Sequence, residues 1–392
     1  MLASLRLRGV LLVALWLPWG CTADPGAPAG PVDGGVFEPA SCDVTDPGPA
    51  PVRRLRVVEY DNILADLLGD ETKPGTRFLT TETRQGDSRL ADELLAEEHL
   101  RAAEDVAKRA AEDPKELMGC DPTTSSFGEC AEGFLEDLAR RAFRRPLSKE
   151  EKTALFLSYS TWKRDWGTAM AVEMSVGRIL MSPHFLYRIE LVDDSADGGE
   201  RVPLDDYEMA SRLSFFLWET MPDDELFEAA EKGELRTRDG VAMHAARMLE
   251  DPRSDAMLQN FHANWLSLGA LDGLVKDSEI FPDFSPEIAT LLREQTELFI
   301  KDVFRDGDGR WASLLTSDTF FVNDTLAEFY GIDGTFSDGF EPVSLPADRP
   351  LGVFSQGAFP AIHARGDGTS PVRRGIFMLG KVLCGAVPDV PP

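Results

Sequence analysis

Residues 132–180 read EGFLEDLARRAFRRPLSKEEKTALFLSYSTWKRDWGTAMAVEMSVGRIL, and their spacing decides the fold class. Phe134, Leu135, Leu138, Ala142 and Phe143 recur three and four apart, which puts them on one face of a helix. Pro146 clashes with a helical backbone and ends it. Ser148, with Glu151 three residues on, forms a capping box, so a second helix opens at Lys149 and runs to about Trp162. Thr168 to Leu180 is apolar nearly all round through Met170, Val172, Met174, Val176, Ile179 and Leu180, the pattern of a helix in the middle of a bundle.

The same periodicity extends outward in both directions. Upstream, RRLRVVEYDNILADLLG at 53–69 predicts a helix over Val57–Leu68 stopped by Gly69, and residues 88–111 predict a charge-rich helix. Downstream, Asp205 and Glu208 open a helix with Met209, Leu213, Phe216 and Leu217 along one face. Another follows Pro222 and stops at Gly233. Ser285, Pro286 and Glu287 start one that carries Ile288, Leu291, Leu292, Leu298, Phe299 and Val303. Strand-like alternation is scarce, and Gly331–Arg349 reads as loop. The expected fold is all-α: packed helical subdomains at 51–115, 116–200, 201–335 and 336–392, behind a disordered N-terminal tether.

That tether follows a secretory signal. Arg6 and Arg8 precede an apolar run from Val10 to Trp19, then Gly20 and Cys21. The run is too short to span a bilayer. Lipidation of Cys21 behind Gly20 and ordinary cleavage nearby are the two processing routes, and Gly20 favours the lipoprotein. Residues 22–50 are rich in Pro, Gly and Ala, with too little apolar surface to offset the entropy of ordering. The expected location is the cell envelope, lipid-anchored, or the medium. Membrane contact is expected only through the lipid.

Lys and Arg number 40 against 68 Asp and Glu, a formal net charge of −28 that makes nucleic acid an improbable partner. With Cys21 lipidated, Cys42, Cys120, Cys130 and Cys384 remain to pair in an oxidising compartment. Cys120 and Cys130 bracket DPTTSSFGE, a turn-forming loop, and are predicted to bridge. Cys42 and Cys384 would then tie the start of the body to its end, a connectivity that spacing leaves open.

Specific catalytic signatures are absent from the sequence. It contains no CxxC, CxxCH, HExxH or GxSxG, so no metal or haem site is expected in this chain. His99, His184, His244 and His262 read as structural or surface residues. Asp306–Gly309 reads as a tight turn, because the twelfth position of a calcium loop would be Ser317. The Asp205/Asp206 and Asp223/Asp224 pairs sit at helix starts, where capping explains them better than acid–base work on a glycan. Trp218, Trp265 and Trp311 read as core, and Arg212 as the partner of Glu208 one helical turn away. The candidate binding loop is HARGDGTSPVRR, with His363, Arg365, Asp367, Ser370, Arg373 and Arg374. It is polar between the apolar stretches Leu351–Ile362 and Ile376–Leu383, which are expected to anchor its ends.

As a set, the segments at 53, FLEDLARRAFRRPLSKEE at 134, SPHFLYRIE at 182, DDYEMASRLSFFLWETMPDDELFEAAEKGEL at 205 and TSPVRRGIFMLGKVLCGAVPDVPP at 369 carry a family resemblance. In that order they resemble large exported proteins of planctomycetes and myxobacteria built from consecutive domains of unknown function. Many such proteins continue past the last segment into a domain with a cytochrome c-like CxxCH. The resemblance therefore implies an extracytoplasmic accessory or binding module, with a c-type cytochrome domain or an envelope protein as partner. Haem is expected only in a C-terminal extension beyond Pro392. The competing classes are an enzyme acting on an extracellular glycan, with its cleft in the 205–265 region, and a non-catalytic surface scaffold.

Overall fold

The structure, a computed structural model, describes residues 52–78, 93–122, 129–190, 202–344 and 352–385. The signal, the tether, Cys21 and Cys42 lie outside these. The described residues are largely helical, as the spacing predicts, with two short two-stranded ladders. The chain divides into two compact units, Gly48–Ser254 and one that runs from Asp255 to Pro392.

The first unit holds α1 (Val57–Leu68), α2 (Glu93–Ala110), α3 (Glu129–Phe143), α4 (Lys149–Trp166), α5 (Thr168–Leu180), α6 (Asp206–Leu217), α7 (Asp224–Glu231) and α8 (Arg238–Glu250). Helix α5 packs against α2, α3 and α4. Small side chains permit that: Ala103 and Ala107 on α2 and Ala171 on α5 are buried, and a Cβ at Gly177 would lie 3.8 Å from Ala107. Ile63, Leu64, Val176, Ile179, Leu180 and Phe185 fill the centre, each contributing about 1.5 to 3 kcal/mol by leaving water. The expectation that α5 is buried all round is corrected. Met170 is exposed and Met174 half-buried, because a high mean hydropathy does not say which face packs.

Local chemistry sets the helix ends. The Ser148–Glu151 capping box opens α4, and Arg145 donates to both Glu151 oxygens at 2.9 and 2.8 Å, which holds that carboxyl down to about 2. Helix α4 outruns its expected end by one turn, to Gly167, whose φ of 85° is open to glycine without strain. On α6 it is Phe215 that is buried, while Phe216 is half-exposed. Strand β1 (Arg53–Arg54) pairs antiparallel with β2 (Tyr187–Arg188), joining the two ends of the bundle.

Cys120 and Cys130 are bridged, with Cα atoms 6.0 Å apart, tying the end of a one-turn helix (Pro114–Met118) to α3. Closing this loop should add about 2 to 3 kcal/mol by restricting the unfolded chain. The double serine variant is expected to melt several degrees lower, and peptide mapping without reduction should recover the bridged pair. Recovery of both thiols alkylated would contradict it. Cys384 is an exposed, free thiol, and its pairing with Cys42 lies outside the described residues.

The second unit holds α9 (Ser254–Leu266), α10 (Pro286–Lys301) and the short helices α11 (Trp311–Thr316), α12 (Asp324–Tyr330), α13 (Ala358–Ile362) and α14 (Pro371–Phe377). Its core is built on α10, where Ile288, Leu292, Phe299 and Ile300 meet Phe320, Leu326, Val353 and Phe359. Residues 331–349, read as loop, contain β4 (Glu341–Ser344), which pairs antiparallel with β3 (Thr319–Val322) and opposes Pro342 to Phe321. The pairing is non-local and one partner, EPVS, has no alternation of its own. Gln295, buried in the middle of α10, donates to the Phe321 carbonyl at 2.7 Å and accepts from the Tyr330 hydroxyl at 2.8 Å. A Cβ at Gly357 would fall 2.0 Å from that hydroxyl, so only glycine fits there.

Candidate functional site

Helix α14 begins as its sequence dictates. Ser370 accepts from the Arg373 N–H at 3.4 Å and Pro371 occupies the first turn, so Ser370, itself buried, is a cap. The helix runs on into one π turn, Met378–Val382, held by a hydrogen bond from the Trp265 indole to the Lys381 carbonyl at 3.1 Å. Phe377 anchors it in the core beside Phe359, at 5.1 Å between ring centres.

His363 belongs to that anchor too. Its ring packs 4.7 Å from Phe359 and 4.8 Å from Phe377, and its Nε2 is buried without a hydrogen-bond partner. Burial, and then the charges of Arg373 and Arg374, push its pKa below the usual histidine value. Of the six residues of the candidate binding loop, His363 is thus half-buried against two rings and Ser370 is buried as a helix cap. The expected anchor Ile376–Leu383 holds through Phe377, with Met378 and Val382 packed against the core, while Ile376 and Leu383 at its two ends are exposed.

The rest of the loop is a tight hairpin in which the Arg365 N–H donates to the Gly368 carbonyl at 2.7 Å, leaving Arg365 and Asp367 exposed. A segment distant in sequence braces it. Lys276 Nζ donates to the Ala361 carbonyl at 2.7 Å and the Arg365 carbonyl at 3.2 Å, and the Asp277 N–H to the Gly366 carbonyl at 2.9 Å. Arg373 reaches the Ala364 carbonyl at 3.1 Å. Four cations thus converge on one loop. Among the described residues, Lys276, Arg365, Arg373 and Arg374 form no ion pair with a carboxylate. The crowding is felt: burial and then Arg373 push the Lys276 pKa below its ordinary value. Lys276 was not legible as a site residue, having no local motif and lying 89 residues from Arg365.

The other candidates are engaged in structure. Asp205 caps the Glu208 N–H at 2.7 Å, Asp206 meets Arg236 at 2.6 Å, and Asp223 caps Leu226 while Arg247 grips both its oxygens. Burial raises the Asp223 pKa, but Arg247 and the cap outweigh it and leave the carboxyl below its ordinary range. Trp218 is buried, donates to the Met248 carbonyl at 2.9 Å and lies 3.5 Å beneath the Arg253 guanidinium. Trp265 stacks 5.3 Å from Trp311, which is half-exposed rather than core. Arg212 donates two hydrogen bonds to Glu190, both 2.6 Å, and also feels the charge of Glu208, whose carboxylate accepts from the Asp205 N–H. Asp308 caps the Arg310 N–H in the predicted turn. No group of three or more metal-ligating side chains is assembled among the described residues.

Three protein families match in succession, each described as a protein of unknown function: PSD3 (DUF1587) over residues 53–112, PSD5 (DUF1595) over 130–190 and PSD4 (DUF1592) over 204–332. The chain carries three consecutive domains of unknown function. Neither a curated protein nor a solved structure matches it. Arg365, Arg373 and Arg374 lie beyond the three matched segments, whereas Lys276 lies inside the DUF1592 match.

Proposed function

We propose that this chain is the helical binding module of an extracytoplasmic envelope protein, that it works in a c-type cytochrome-associated setting, and that it meets its partner through Arg365, Arg373 and Arg374. The observation that carries the reading is the absence, among the described residues, of any carboxylate paired with these arginines, in a chain of net charge −28. Burial first, and then the neighbouring arginines, lower the Lys276 and His363 pKa values, so this cationic loop favours an anionic partner. Export is supported by the signal layout and by the Cys120–Cys130 bridge, which persists in an oxidising compartment.

The arginine pair Arg373→Ala, Arg374→Ala is expected to keep its melting temperature and lose partner binding. A melt several degrees lower would make these arginines structural and end the reading. Fractionation should place the protein in the envelope or medium, and a lipid-precursor label should vanish in Cys21→Ala; recovery of an unprocessed cytoplasmic chain would refute export. Haem staining of the full-length product tests the cytochrome setting, with the haem carried by a C-terminal extension and none by residues 1–392.

A further inference from the structure

Among the described residues, exposed aliphatic side chains flank the arginine loop. On α14, Val372 and Ile376 stand one turn apart and are 71 % and 48 % exposed. Beside the hairpin, Val275 is 79 % exposed, and its carbonyl lies 3.8 Å from where a Gly366 side chain would begin. Isolated exposed aliphatics are ordinary, but here three adjoin four cations that lack carboxylate partners among the described residues. From Pro350 to Pro388 the sequence holds four basic residues, Arg349 being excluded, and one acid, Asp367, against the chain-wide excess of acids.

Resting on the reading above, we propose that this face docks an acidic protein segment whose apolar side chains seat on Val275, Val372 and Ile376 while its carboxylates meet Arg365, Arg373 and Arg374. Charge complementarity selects the occupant. A small anion would neutralise the arginines and leave the aliphatics wet. A second copy using the same face would set Arg373 and Arg374 against their own equivalents, since a two-fold interface pairs each patch with itself. A lipid surface is better met by aromatic anchors than by two valines and an isoleucine. Bound helical ligands place anchors three or four residues apart, which is the spacing that Val372 and Ile376 present.

The test uses the full chain and a display library of 16-residue peptides rich in Asp, Glu, Leu, Ile and Phe, beside a matched library with Lys and Arg for the acids. Peptides from the acidic library should be enriched. Their affinity should fall about tenfold or more in Arg373→Ala, Arg374→Ala and in Val372→Ser, Ile376→Ser, and should weaken with added salt. Circular dichroism melts of both variants should match the parent. Enrichment of peptides without acidic bias, or binding that ignores all four substitutions, overturns the proposal. Binding only to phosphatidylglycerol vesicles, lost with the arginines, overturns the partner class but keeps the arginines as a binding site. A concentration-dependent dimer lost in Val372→Ser, Ile376→Ser with no peptide binding also overturns it. If no assay responds to Arg373 and Arg374, the functional reading falls with it.

Discussion

Arg144→Ala should destabilise the first unit by about 4 kcal/mol and lower its melting temperature by about 10 °C, measured by calorimetry. Arg144 is buried and forms no ion pair with a carboxylate among the described residues. Instead its Nη1 donates to the Ala142 and Phe185 carbonyls at 2.9 and 3.3 Å, and its Nη2 to those of His184 and Tyr187 at 2.7 and 2.8 Å. The guanidinium also lies 5.5 Å over the Phe215 ring. Burial, followed by the charge of Arg188, brings its pKa down to about 9, which leaves it charged at neutral pH. One side chain therefore closes the end of α3, holds the turn before β2 and presses on α6. Removing it leaves four carbonyls short of a donor at about 1 kcal/mol each. A lysine, with a point charge and no planar fork, should recover less than half of the loss.

Arg144 has a φ of 59°, where a glycine usually ends a helix, and the Arg145 N–H returns to the Arg140 carbonyl at 3.2 Å as such an ending requires. Arg144→Gly loses the same contacts but sheds about 1 kcal/mol of backbone strain, so it should melt a few degrees above Arg144→Ala. A variant Arg144→Ala that melts within two degrees of the parent would show the carbonyl network to be dispensable.

Stability of the first unit should fall by about 3 kcal/mol as pH drops from neutral to 4, through His99. His99 is buried with both ring nitrogens unpartnered, its ring 5.2 Å from Tyr60 and 4.5 Å from Phe78. Burial, and secondarily the charge of Arg54, lowers its pKa from 6.5 to about 4. Between those values the unfolded chain binds a proton that the folded chain refuses. The contribution is therefore fully present above 6.5, is lost as pH falls, and is gone near 4. Other groups titrate in the same window, so the His99 part is read as the difference between parent and His99→Phe. Denaturant midpoints should converge on a much flatter pH dependence in the variant. An unchanged slope between pH 6.5 and 4 would mean that His99 already meets a proton acceptor in the fold.

Legibility of the candidate face was uneven. Arg365, Asp367 and Arg373 stand exposed as a polar, turn-rich stretch predicts. His363 and Ser370 share that polarity, yet one packs between Phe359 and Phe377 and the other caps α14. Composition cannot separate a polar group that faces solvent from one whose hydrogen bond or ring contact lies inside. Val275 and Lys276 had no signal at all, because Lys276 joins the face through a hydrogen bond to the Arg365 carbonyl and Val275 only as its chain neighbour.

What the amino-acid sequence determined by itself was the set of elements: the all-α class, the capped starts at Ser148, Asp205 and Ser285, the stop at Gly69, and the Cys120–Cys130 bridge. Most of these rest on contacts within about four residues, where period, cap and turn chemistry act whatever the rest of the chain does. Only the tertiary structure decided that Phe215 and not Phe216 turns inward, that EPVS pairs with β3, that Gln295 links three segments, and that Arg144 binds carbonyls some forty residues away. Those outcomes join residues far apart in the chain. No local preference distinguishes them from alternatives of equal polarity and size, so close packing and the need to satisfy every buried polar group make the choice.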